Sequence, residues 1–114
     1  MPLVNNRVLR NIDVDETADV GVARPVRITS LVAFNNAAAV IYLKLYNTAV
    51  AATVGTTTPV MTIPLAVKVP VTVSWDKGVL FDTGLSPAAT TGVGDSDTGA
   101  VGTNDCIINV IYDS

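Results

Sequence analysis

The sequence predicts an all-β fold: an antiparallel β-sandwich, jelly-roll-like, of seven to eight short strands with an extended N-terminal arm. Three observations carry this. Val and Thr supply 33 of the 114 residues, and both are β-branched, stiff at χ1 and suited to a pleated surface. Short stretches alternate apolar and polar residues with period 2, separated by frequent turn signals. No stretch carries the 3.6-residue apolar stripe of a helix. The length implies one domain, divided into an arm over 1–25 and a sandwich over 26–114.

The arm comes first. Asp13, Asp15, Glu16 and Asp19 interrupt its apolar runs, and Arg24-Pro25 closes it. Its alternation around Val8–Val14 predicts an extended segment. Two placements are open: a strand donated to a neighbour's sheet edge, or a segment folded back on its own sheet. The concentration of arginine makes donation the more attractive of the two.

The sandwich strands follow in order. Arg27–Phe34 is the first, turning at Asn35-Asn36-Ala37. Ala39–Asn47 sets Ile41, Leu43 and Leu45 on a core face and Tyr42, Lys44 and Tyr46 on an outer one. Thr48–Thr58 is a loop bending at Gly55. Pro59–Leu65 has Met61, Ile63 and Leu65 in phase, and Pro64 marks it as an edge strand or a bulge. Lys68–Trp75 alternates strictly, with Val69, Val71, Val73 and Trp75 inward. Asp76-Lys77-Gly78 is a turn, with Gly at the position that needs positive φ. Val79–Asp82 and Leu85–Thr91 are short strands, and Gly92–Asn104 is a long exposed loop. Asp105–Tyr112 is apolar on both faces, which places it centrally or against another chain.

Composition narrows the function classes. There is no histidine, one cysteine and one glutamate, so the usual proton shuttles, metal ligands and thiolate nucleophiles are scarce. No Ser-His-Asp triad can form, the acids lie mainly in turns and the arm, and no enzymatic activity is expected. Charged residues are 15%, against roughly 25% in typical soluble domains. Either Thr, Ser, Asn and Gly cover the exterior, or part of the surface is covered by other chains. The net charge of −3 disfavours nucleic-acid binding. No signal peptide and no membrane helix are expected. Cys106, in an apolar run, reads as a buried structural thiol.

Three groups remain as candidate sites. Gly94-Asp95-Ser96-Asp97-Thr98-Gly99 is the best metal candidate, because alternate Asp residues before a Gly can wrap oxygens around Ca²⁺. The pattern lacks the remaining ligands of an EF-hand, although Asp105 could add one through space. The competing reading is a solvated loop whose Asp side chains cap local amides, and no cofactor is expected. Tyr42, Lys44 and Tyr46 form either a binding platform or an ordinary outer face. All four arginines (Arg7, Arg10, Arg24, Arg27) fall in the first 27 residues, while the last 20 hold four Asp and no Lys or Arg. That asymmetry could orient the domain on a charged partner.

About 60 residues carry a resemblance. Tyr42–Tyr46 (YLKLY), Thr53–Pro64 (TVGTTTPVMTIP), Gly78–Ser86 (GVLFDTGLS) and Asp95–Val101 (DSDTGAV) occur in order and with matching spacing. This run resembles a family of small structural proteins of tailed bacteriophages; the arm is not covered. The resemblance implies a jelly-roll-like virion protein, made in the host cytoplasm and placed on the capsid exterior. As a capsid decoration (cement) protein it would bind and stabilise the major capsid protein lattice, often as a homotrimer. The expected contact residues are then the four arginines with Tyr42, Lys44 and Tyr46. Two other readings stay open: a fibre or tail-tip module binding host glycan, and a neck or tail-completion protein.

Overall fold

The computed structural model describes residues 6–114. Among these residues there are seven strands: β1 (Asn6–Asn11), β2 (Val26–Asn35), β3 (Ile41–Tyr46), β4 (Met61–Leu65), β5 (Pro70–Phe81), β6 (Ser86–Thr90) and β7 (Cys106–Asp113). They form two sheets, β1-β7-β2-β5 and β4-β3-β6, and every pairing is antiparallel. No helix occurs among the described residues. The architecture is the expected β-sandwich, with four strands against three among the described residues.

The core lies between the sheets. Ile28, Leu31, Ile108 and Val110 from the larger sheet meet Ile41, Leu43, Leu45 and Leu65 from the smaller. Each is at most 1% exposed, and burial of such a side chain contributes about 1.5–3 kcal/mol. The alternation of β3 puts Ile41, Leu43 and Leu45 inward as expected. β7 is central, between β1 and β2, because both its faces are apolar. β4 is an edge strand with Pro64 opposite Tyr42, where a missing N–H does least harm.

One expected turn is a bulge. Asp76-Lys77-Gly78 does not separate two strands, because β5 runs through it from Pro70 to Phe81. The register against β2 jumps between Ile28↔Val79 and Ser30↔Ser74, so Trp75–Gly78 form a bulge opposite Thr29. Gly78 does have positive φ, at 71°, which a bulge requires as readily as a turn. Val69 also departs from expectation. It lies just before β5 and is half exposed.

The arm segment, in its described part, folds back on its own domain. β1 pairs with β7, setting Leu9 opposite Val110. The chain then crosses the end of the sandwich, where the Val14 amide donates to the Cys106 carbonyl at 3.0 Å. Residues 15–22 next run along the free edge of β6. There the Ala89 amide donates to Asp15 O at 2.8 Å, Asp19 N to Pro87 O at 3.2 Å and Leu85 N to Val22 O at 2.9 Å. Val14, Ala18 and Val22, spaced four apart, are buried. These contacts give the segment local partners, so donation of residues 6–25 to a neighbour is not what the fold displays. Residues 1–5 of the arm lie outside the described residues.

Candidate functional site

The outer face of the smaller sheet was expected to present Tyr42, Lys44 and Tyr46. It does not. Lys44 and Tyr46 are fully buried and Tyr42 is half-buried. Residues around 18, 52–54 and 94–97 close over them. Tyr46 packs with Ala18, Ala88, Ala52 and Val54. The Lys44 ammonium donates to the Gly94 carbonyl at 2.6 Å and more weakly to the Asp97 carbonyl at 3.4 Å. A buried cation needs such oxygens. Burial pushes the Tyr46 phenol pKa up, and the nearby charge of Asp95 adds to this. The Tyr46 hydroxyl has no hydrogen-bond partner among the described residues. As a sugar-stacking platform this face is therefore closed.

The loop after β6 carries the Asp95/Asp97 motif. Asp97 Oδ1 accepts hydrogen bonds from the amides of Gly92 at 3.1 Å and Gly99 at 2.8 Å. This is the capping role that the sequence offered beside the calcium reading. Asp95 is exposed. No group of three acidic, His or Cys side chains is placed to hold a metal among the described residues, so Asp105 is not brought to the motif. The positive charge near this loop is supplied from within, by Lys44.

Two further acids have uses that sequence reading did not find. Glu16 Oε2 accepts from the Val101 amide at 3.0 Å, and Asp13 Oδ1 from the Asn104 amide at 2.9 Å. They tie the incoming N-terminal segment to the loop before β7. No local sequence signal marks pairs 85 and 91 residues apart.

The arginines gather at another place. Arg7 pairs with Tyr112, Arg27 with Asp113, and Arg24 Nη2 donates to Ser114 Oγ at 3.0 Å. Three of the four thus flank the C-terminal end of β7, and Arg10 lies opposite Asn109. They are remote in the fold from Tyr42, Lys44 and Tyr46, so the expected contact residues do not form one surface. Beside Arg27, a shallow depression of about 220 Å³ is lined by Pro25, Val26, Leu80, Asp113 and Ser114.

The surface that no described segment covers is the outer face of the larger sheet. Register sets three rows across it: Val8-Ile111-Ser30-Ser74, Arg10-Asn109-Val32-Thr72 and Ile107-Phe34-Pro70. Val8 is 61% exposed, Val32 38%, and Leu80 at the end of the face 53%. The acids lie mostly elsewhere, in 13–19 and 95–105. The face is therefore apolar and small-polar in its middle, with arginine at its margin. Cys106 is on the opposite, inner side. It is fully buried, and burial pushes its thiol pKa up to about 12, which makes it a packing residue rather than a nucleophile.

Comparison with protein-family models, with curated proteins and with solved structures gave no match.

Proposed function

We propose that this chain is a non-catalytic structural protein of a tailed-bacteriophage virion, a capsid decoration protein. In this reading the outer face of the larger sheet docks on the major capsid protein lattice. The observation that carries it is the asymmetry of the sandwich. One outer face is closed by three segments of the chain, while among the described residues the other has no cover and leaves Val8, Val32 and Leu80 exposed. The run of residues between Tyr42 and Val101 that resembles phage structural proteins gives the reading its biological setting.

Each copy would bury apolar area at about 25 cal/mol per Å² gross, of which only part survives as affinity. Repetition over a closed shell would multiply the effect. Val32, at the centre of the face, is the residue to test. Val32→Glu sets a charge in the middle of the face and leaves the core untouched. It is expected to abolish attachment to capsids while the circular dichroism stays unchanged. Full attachment of this variant overturns the docking face.

A neck or tail-completion protein would have the same small β-rich form. Copy number separates the two: hundreds per particle for decoration, about six or twelve for a ring at the vertex. The glycan-binding reading has lost its motivating surface, because Tyr46 is buried.

A further inference from the structure

Four sheet edges exist in this sandwich, and three are protected. β6 is covered by residues 15–22, β4 carries the exposed Pro64, and β1 carries Arg7 and Arg10. Coverage, proline and charge are the ordinary devices against edge-to-edge pairing. β5 is the least protected: its proline stands at the first position and its charges and bulge fall at 75–78, so Val71–Ser74 carry none of these. It is the longest strand, at 12 residues, and among the described residues it pairs on one side only, with β2. From Val69 to Trp75 it has no charged residue.

The same flank leaves the core open. The larger sheet has one strand more than the smaller. β4 lies over β2, where Asn35 Nδ2 donates to the Leu65 carbonyl at 2.9 Å. β5, one strand further out, therefore overhangs. Val71, Val73 and Trp75 point inward yet are only half-buried, as are Met61 and Ile63 of β4. The opposite flank has the same need and meets it with the chain's own Val14 and Val22. Nothing in the described chain does this for the β4/β5 flank.

We infer that a second copy of this chain pairs there, β5 against β5, antiparallel about a two-fold axis through Val73. The strand is self-complementary in this register. Val71 falls opposite Trp75, where the bulge begins, and Thr72 opposite Ser74. The first is an aromatic/β-branched pair and the second a hydroxyl pair, both favourable across strands, and no like charges meet. Self-pairing of β1 centred between Val8 and Leu9 would instead set Arg7 directly against Arg10. The result is one continuous eight-stranded sheet, with both copies' bare faces on the same side and the two open flanks closing each other. This inference stands apart from the capsid reading, which does not require it.

Sedimentation velocity of the intact protein over a concentration series tests it. A monomer–dimer equilibrium is expected, with dimer predominating by about 100 µM. Thr72→Lys/Ser74→Lys alters two exposed side chains and opposes lysines twice across the axis; it is expected to weaken the dimer at least about tenfold with unchanged circular dichroism. Val73→Cys is expected to form an interchain disulfide under mild oxidation, since opposed Cα atoms lie about 4.5–5.5 Å apart in such a pair. Val50→Cys, exposed but off this flank, is not. A monomer throughout, a closed trimer, a dimer indifferent to the lysines, or equal cross-linking of the two cysteine variants overturns the inference. Dimerisation without capsid attachment upholds it and overturns the proposed function instead.

Discussion

The Lys44 ammonium and the Gly94 carbonyl oxygen are 2.6 Å apart, joined across 50 residues of sequence. This contact draws the loop after β6 down over β3 and makes an outer sheet face into an interior. Lys44→Met keeps the length and removes the charge. Replacing a buried charge by a packed apolar chain is often nearly neutral overall. Global stability is thus expected to change by under about 1 kcal/mol, while amide exchange in 92–99 rises about tenfold. Hydrogen exchange measured by mass spectrometry checks this. Unaltered protection in the loop means that Lys44 does not hold it.

Asp97 and Asp95 should behave differently although they look alike in sequence. Asp97→Ala leaves two loop amides without their acceptor and is expected to cost about 1–3 kcal/mol. Asp95→Ala, at an exposed position, should stay within about 0.5 kcal/mol. Calcium and chelator should both leave the melting temperature unchanged. A calcium-induced rise that Asp95→Ala removes would restore the metal reading.

Cys106 gives a pH signature. Its folded pKa is raised to about 12 from an ordinary 9.0, so the folded state holds the proton more tightly than the unfolded chain. Its contribution is fully present below pH 9 and is lost as pH rises from there towards 12. The expected slope is about 1.4 kcal/mol per pH unit for one proton. Denaturant titrations at pH 8–11 should show it in the wild type, with Cys106→Ala shallower by that amount. Parallel slopes would mean the thiol is not sequestered.

Gly78 allows the β5 bulge to turn back into register. Its φ of 71° is left-handed, and a Cβ there would meet the Arg27 side chain. Gly78→Ala is expected to cost about 1–2 kcal/mol from backbone conformation alone. A urea midpoint equal to that of the wild type would exclude this.

Strand phases were legible because period-2 alternation is a local signal. Ile41, Leu43 and Leu45 point inward, β7 is central and Pro64 lies on an edge. What escaped was what covers what. Alternation showed that Lys44 and Tyr46 leave the core face, but not that loops would bury them, because loop placement depends on contacts such as Lys44 with Gly94. The bulge hid for a related reason: Asp76-Lys77-Gly78 has turn chemistry, and a bulge uses the same residues. The N-terminal segment read as an arm because its acids break the apolar run, yet Glu16 and Asp13 are themselves the ties to residues 101 and 104. Deleting residues 1–25 would accordingly remove Val14 and Val22 from the core and cannot test attachment cleanly.

The proposed docking of the larger sheet's outer face on a repeating protein lattice has a direct test. Purified phage heads that lack this protein, titrated with the wild type and with Val32→Glu and counted by quantitative mass spectrometry, test it most directly. Hundreds of wild-type copies per head are expected, and almost none of the variant. Equal occupancy by the two proteins, or saturation at about six or twelve copies, would contradict the docking.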